Sequence, residues 1–295
     1  CWPPPEFGPA AQFVNVTIGE NGMTTIIKDP ALQPLPVIEK PLAGKKALVI
    51  GIANQDSIAF GCARAFRSFG ADLSITYLND NTKQYTSRLA EPLDVADDLY
   101  LPCDVREAGQ LEAVFAAIGQ TWGKLDILLH SIAFAPRADL HGRVTDCSLE
   151  GFLQTMDVSV HSLIRMARLA EPLMKDGGAI FTMSYFGGEK VVPHYGIMGP
   201  AKAALETAAR YMAWELGDKG IRVNIISPGP VMTRAASGID RFDELLEQTK
   251  QRAPSRRLVT ADEVGMATAA LACDFANVVT GETLYMDGGY NIMGG

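Results

Sequence analysis

Residues 47–61 read Ala47-Leu48-Val49-Ile50-Gly51-Ile52-Ala53-Asn54-Gln55-Asp56-Ser57-Ile58-Ala59-Phe60-Gly61. An unbroken apolar run stops at a glycine, and a polar turn leads into a second apolar stretch. A short apolar run bounded by turn residues reads as a buried strand. The apolar positions from Ser57 to Phe69 read as a helix. The segment is therefore a strand, a glycine-bounded turn and a helix.

The same alternation continues along the chain. Strands are expected at 73–77, 99–101, 125–129, 179–183, 222–226 and 283–286. Helices are expected at 82–93, 108–122, 148–174, Tyr195 to Leu216, 240–251 and 261–273. Thr260 and Glu263 form the signature of a capping box for the last of these. Near-continuous apolar strands alternating with helices indicate a parallel sheet covered on both faces. With right-handed crossovers this is an α/β doubly wound sheet of the Rossmann type, in three α/β/α layers. No internal repeat or linker divides residues 45–295, which are expected to form one domain. Residues 1–44 read as an N-terminal extension and a proline-rich lead-in packed on the domain surface. Met23 reads as a plausible native start, with 1–22 as a non-native extension.

Composition narrows the function classes. Hydrophobic residues make up 47% and charged residues 20%, an ordinary globular balance, and the net charge is −8. A basic footprint for nucleic acid is absent. No apolar run reaches the roughly 20 residues that span a bilayer, and residues 1–22, which lack a basic n-region followed by an apolar stretch, are not expected to be a secretory signal. The five cysteines (Cys1, Cys62, Cys103, Cys147, Cys273) form no CxxC pair. The four histidines have no ligand spacing. The expectation is a reduced, cytoplasmic protein without a metal site.

In a doubly wound sheet, ligands bind outside the carboxyl ends of the strands, where the notable residues of this chain cluster. Gly51 allows backbone to approach a pyrophosphate, and Ser57 and Ile58 open a helix whose free N–H groups face phosphate. Gly61 is expected to let that helix pack close to the strand. The pattern is not GxGxxG, and a strand-turn-helix without ligand also accounts for it. After the second strand come Leu78, Asn79 and Asp80, with no arginine or lysine for a 2′-phosphate. NAD (as NADH) is therefore favoured over NADP. Asp104, with Val105 beside it, follows the third strand, placed either to accept from an adenine amino group or to cap the next helix. Ser131, Ile132 and Ala133 follow the fourth strand. Gly229, Val231 and Thr233 follow the sixth, near the nicotinamide.

Tyr195 and Lys202 stand six residues apart after the fifth strand. On one helix that spacing is about two turns, so both side chains would face one way. A lysine beside a tyrosine favours the phenolate and lowers its pKa. Such a tyrosine can protonate or hydrogen-bond an oxygen that gains charge during hydride transfer.

Together with the first turn, this pair resembles the short-chain dehydrogenase/reductase family, over about Leu42 to Met293. The match is closer to its divergent branch, the bacterial enoyl-[acyl-carrier-protein] reductases. Four stretches carry the resemblance: Gly51 through Ser57-Ile58-Ala59 to Gly61; His130-Ser131-Ile132-Ala133-Phe134-Ala135-Pro136; Ser184-Tyr185 followed by Tyr195, Met198 and Lys202; and Pro230-Val231-Met232-Thr233 leading to Ile239. The resemblance implies NADH-dependent reduction of the trans-2 double bond of an enoyl thioester, carried on acyl carrier protein, in fatty acid biosynthesis. It implies that Tyr195 stabilises the enolate oxygen, that Lys202 holds the ribose, and that Tyr185 shapes the site, although Tyr185 also reads as a packed aromatic. Ala135, Met198, Ile239 and Phe242 would contact substrate, the last three otherwise being ordinary core. A substrate loop over 231–258 and a homotetramer built on the two long central helices are also implied.

Two features depart from the branch. Leu78 stands where many members carry glutamine near the adenine. Asp240-Arg241-Phe242-Asp243-Glu244 places three acids beside the substrate portal, where members are basic, and this opposes steering of an acidic carrier. A CoA thioester is the alternative substrate. The competing readings are a family oxidoreductase acting on a keto or hydroxy substrate, against which Tyr185 replaces the usual serine, and a non-catalytic dinucleotide-binding regulator.

Overall fold

The computed structural model describes residues 38–233 and 241–294, together with the antiparallel pair Thr17–Ile18 and Thr24–Thr25. The expected apolar runs form seven strands: β1 (Lys46–Ile50), β2 (Asp72–Tyr77), β3 (Tyr100–Pro102), β4 (Ile127–His130), β5 (Gly178–Met183), β6 (Ile221–Pro228) and β7 (Thr283–Met286). All pairings are parallel, in the order β3-β2-β1-β4-β5-β6-β7. The strand order reverses at β1, and the carboxyl ends of β1 and β4 flank the crevice where such sheets take ligands.

The strands are apolar on both faces because both faces are covered. Alternate side chains go to opposite sides. Leu48, Ile50, Leu128, Ile180, Val223 and Ile225 join one core, beneath α3 (Gln110–Thr121), α5 (Ser162–Ala170) and α6 (Met198–Leu216). Ala47, Val49, Leu129, Phe181 and Ile226 join the other, beneath α1 (Ile58–Ser68) and α8 (Ala261–Ala272). Other helices include α2 (Asp80–Ala90) and α7 (Phe242–Arg252), α4 (Leu149–Met156) precedes α5, and a short helical turn at Arg137–His141 precedes α4. Thr260 and Glu263 form the expected capping box at the start of α8.

Three expectations need correction. The helix expected over 148–174 is interrupted by a π turn at Asp157–His161 between α4 and α5. Periodicity does not reveal one inserted residue's worth of widening. The helix expected from Tyr195 begins at Met198. Gly61 is needed for helix-on-helix contact rather than helix-on-strand contact: a Cβ there would overlap the carbonyl of Ala261, and one at Gly265 would overlap the carbonyl of Gly61. The backbones of α1 and α8 thus meet where neither has a side chain.

The chain divides into a unit of Cys1–Glu39 and one of Lys40–Gly295. The second starts slightly ahead of residue 45 because Leu42 is fully buried and its N–H donates to the Phe69 carbonyl at 2.9 Å. The rest of the lead-in, over residues 26–37, lies outside the described residues.

Replacing Gly61 by valine forces α1 and α8 apart. A loss of about 2–3 kcal/mol is expected, read as a lower urea midpoint at unchanged m-value.

Candidate functional site

A cavity of about 320 Å³ opens at the carboxyl ends of the central strands. Its floor is the first turn. Gly51 has φ +115°, and a Cβ there would overlap the Ser131 carbonyl. Ser131 N–H donates to the Ile50 carbonyl at 2.9 Å, so the loops after β1 and β4 cross in contact. The glycine is thus required by this crossing as well as by any approach to phosphate.

Ser57 precedes α1 but does not cap it. Its Oγ accepts instead from the N–H groups of Ala53 and Asn54, at 3.0 and 3.1 Å. This folds the turn and leaves the first N–H groups of α1 to the cavity, with the positive helix end behind them. Leu78 forms part of the wall after β2, and 44% of its surface is exposed. Asp80, next along, is the first-turn acid of α2, which Asn79 and Thr82 cap.

The wall after β3 consists of Cys103, Asp104, Val105 and Arg106. Asp104 does not cap the next helix, because α3 starts only at Gln110 with Gly109 at its cap. Its carboxylate is instead gripped by Arg106, which holds its pKa below the usual carboxylate range. After β4, Ser131, Ile132, Ala133 and Phe134 complete the far wall.

The π turn supports these walls. Ser159 Oγ accepts from the Phe134 N–H at 3.0 Å and donates to the Phe134 carbonyl at 3.1 Å. Arg165 donates to the Val105 carbonyl at 2.7 Å and lies 3.7 Å from Asp157. Val158 lines the cavity itself. π turns of this kind often occur at functional sites. Nothing in residues 157–165 marks these roles in the sequence, since a serine or arginine on a helix is unremarkable.

Lys202 enters the cavity wall beside Met183, with Thr233 nearby. Its ammonium is buried and donates to the Met183 carbonyl at 2.7 Å. Burial lowers its pKa to about 8, against the opposing pull of Glu206 one helical turn on. Glu206 accepts a short hydrogen bond from Ser184 and is itself raised by burial.

Tyr195 lies ahead of α6 rather than on it, so a shared helix face does not relate it to Lys202. Left-handed backbone at His194 (φ 64°) and Gly196 (φ 47°) turns it inward. It meets Tyr185 edge to face, with ring centroids 5.1 Å apart. A Cβ on Gly187 would stand 2.5 Å from the Tyr195 ring, so only glycine fits there. The expected lowering of the Tyr195 pKa does not occur. Burial raises it, and Tyr185 and Glu206 raise it further. Tyr195 is therefore a neutral hydrogen-bond donor. Tyr185 is also raised by burial, and its hydroxyl is buried without a hydrogen-bond partner.

Gly51, Ser57, Ile58, Leu78, Asp104, Val105, Ser131, Ile132, Ala133, Lys202 and Thr233 thus meet around one cavity. Tyr185, Tyr195, Ala135, Met198, Gly229, Val231 and Phe242 are not among its lining residues. Gly229 instead packs against Asp287, with its N–H donating to the Met286 carbonyl at 3.0 Å. Val231, Met198 and Phe242 are buried, the last opening α7. Ile239 lies outside the described residues. His130, at the end of β4, is fully buried between Thr182 Oγ1 and Ser162 Oγ, each 2.8 Å away. Burial lowers its pKa to about 3, so it stays neutral and structural.

A family model described as Enoyl-(Acyl carrier protein) reductase matches residues 51–291. The chain belongs to that family. It is 47% identical over 256 residues to the Enoyl-[acyl-carrier-protein] reductase [NADH] FabI of Nostoc sp., covering 86% of this chain and 98% of that protein. It is 44% identical to the Bacillus cereus FabI, covering 86% and 99%. Among solved structures, the Anaplasma phagocytophilum reductase in complex with NAD superimposes with a TM-score of 0.83 at 45% identity, covering 86% of this chain and 97% of that one. The Bacillus cereus reductase with NADP+ and indole naphthyridinone gives 0.84 at 44% identity, covering 86% and 99%.

The residues present fit a nicotinamide dinucleotide. The uncapped end of α1 suits a pyrophosphate, the ionised Asp104 suits an amino group, and Lys202 suits ribose hydroxyls.

Because burial holds Lys202 at about 8, below the unfolded value of 10.5, the unfolded chain binds the extra proton between these pH values. The contribution of Lys202 to stability must therefore rise with pH across that window. The urea midpoint of wild type relative to that of Lys202→Met should rise from about pH 7.5 to about pH 10. Replacing His130 by leucine leaves the Thr182 hydroxyl without its partner, while Ser162 keeps its hydrogen bond to the Val158 carbonyl at 2.7 Å, and a loss of about 1–3 kcal/mol is expected by the same measurement.

Proposed function

We propose that this enzyme reduces the trans-2 double bond of an enoyl thioester at the expense of NADH, in fatty acid biosynthesis. The observation that carries the reading is the Tyr185–Tyr195 pair. Two neutral phenols pack edge to face, and the Tyr185 hydroxyl is buried with no protein partner. A thioester carbonyl that gains negative charge is the acceptor such donors lack. NADH, when bound, supplies the hydride.

The chain's own residues account for the rest. Tyr195 holds its proton and donates a hydrogen bond to the oxygen on which charge develops. Lys202, tied to the Met183 carbonyl, presents positive charge to the ribose and to the same oxygen. Tyr185 closes the other side and excludes water. Ala135, Met198, Ile239 and Phe242 would shape the path of the acyl chain, and Gly229, Val231 and Thr233 would support the nicotinamide end.

The acyl group is read as carried on acyl carrier protein. Asp243 and Glu244 belong to the first turn of α7, where they face the positive end of the helix, while Lys250 and Arg252 occupy its last turn. Two of the three acids that oppose carrier docking, Asp243 and Glu244, thus serve the helix itself, and Asp240 lies outside the described residues. A homotetramer is read from the exposed apolar residues Leu149 and Leu153 on α4 and Tyr211 and Trp214 on α6; Trp214 is 83% exposed. A cytoplasmic location, with neither membrane nor nucleic acid as partner, accords with the charge of −8. No helix among the described residues is long and apolar enough to cross a membrane.

The test follows NADH absorbance with a trans-2-enoyl thioester offered on acyl carrier protein and on CoA. Oxidation is expected, faster with the carrier protein, and Tyr195→Phe should lower kcat by about 10²–10⁴-fold. Cofactor binding without oxidation of either thioester would overturn the reading and favour a keto or hydroxy substrate, or a regulator.

A further inference from the structure

We propose that Arg106 is a positioning residue that locks Asp104 as the acceptor for the adenine amino group, and so sets the preference of the site for adenine over other purines. The inference rests on the reading above that this cavity takes NADH.

Asp104 is held by more donors than a loop acid ordinarily has. Arg106 Nε reaches Oδ1 at 3.0 Å and Nη2 reaches Oδ2 at 2.6 Å, a two-point fork. The Arg106 backbone N–H donates to Oδ1 as well, at 3.0 Å. The Asp104 N–H is itself taken by the side-chain carbonyl of Gln110 at 2.8 Å. Carboxylate and backbone are therefore both tied, and Asp104 has one side-chain orientation, facing the cavity it lines. Each carboxylate oxygen has more than one lone pair, so the fork leaves acceptor capacity for a ligand.

The guanidinium itself does not lie free. It stands 5.7 Å from the centre of the Phe134 ring, across the cavity mouth from the strand-end loop it belongs to. Arg165 secures the residue between, through the Val105 carbonyl. Arg106 is thus braced on the loops after β3 and β4, and its planar fork cannot be reproduced by lysine.

The fork is not explained by stability. The Arg106 side chain is 45% exposed and that of Asp104 12%. A pair open to solvent on one side adds little to folding. What it does supply is a carboxylate with its charge and direction settled before ligand arrives, which lowers the ordering cost of binding. A purine with an exocyclic amino group donates to such an acceptor. Hypoxanthine, with a carbonyl at that position, is repelled by it.

The experiment titrates the full chain with NADH and with reduced nicotinamide hypoxanthine dinucleotide, following the fluorescence of the bound dihydronicotinamide. The proteins are wild type, Arg106→Ala, Arg106→Lys, Asp104→Asn and the Arg106→Ala/Asp104→Asn double variant. Wild type should prefer NADH. Arg106→Ala and Arg106→Lys should weaken NADH binding roughly tenfold and leave the hypoxanthine dinucleotide little changed, so that the preference collapses. In the Asp104→Asn background, Arg106→Ala should have no further effect. Equal weakening of both dinucleotides, independent effects of the two substitutions, or unchanged binding by Arg106→Ala would each overturn the proposal and leave the cofactor reading standing. Failure of wild type to bind NADH would remove both.

Discussion

The crossing of the loops after β1 and β4 is the contact on which the site depends. Gly51 adopts φ +115°, and its missing side chain is the space occupied by the Ser131 carbonyl. With those loops in contact, the end of α1 and the 131–134 segment face one another across a gap instead of filling it. A side chain at 51 would demand both a left-handed backbone and the volume of the opposing peptide. The first turn lacks a GxGxxG pattern, yet one glycine of the right geometry suffices because Ser57 folds the turn through the backbone of Ala53 and Asn54.

The second organising element is the π turn between α4 and α5. One widened turn sends Ser159 to the loop after β4, while Asp157 and Arg165 together reach the loop after β3. These loops come from opposite sides of the sheet's switch point, so the helix acts as a common brace. Removing the widening would rotate the residues on one side of it by most of a helical step and separate these contacts.

Electrostatics at the tyrosine pair work differently from a simple lysine-activated phenol. Burial penalises every charged form in the cluster: it raises Tyr185, Tyr195 and Glu206 and lowers Lys202. The phenols therefore remain donors, suited to an oxygen that becomes negative rather than to abstracting a proton. Sequence spacing would place Tyr195 and Lys202 on one face of a shared helix, and the structure does not. Tyr195 is set by a tight turn between left-handed residues ahead of α6, and Lys202 is anchored on the end of β5.

Strand positions, parallel pairing and doubly wound architecture were legible from residues 45–286, because apolar runs and helical periods are local properties of the chain. The capping box at Thr260 and the residues that gather at strand ends were legible for the same reason. Most of the cavity wall, from Gly51 to Lys202, could be named because in this topology every strand end lies on one edge of the sheet. The roles of Arg106, Ser159, Arg165 and Glu206 were not legible, and neither were the glycine contacts at 61, 187 and 265. Each depends on which distant backbone lies within a few ångströms, and a hydrogen bond or a steric overlap between residues far apart in sequence leaves no periodic trace. Local chemistry along the chain was enough to specify the elements and the edge where function resides. Only packing in three dimensions decided which neutral, charged and unpaired groups face the ligand, because pKa and hydrogen-bond partnership belong to the surroundings of a side chain and not to the side chain itself.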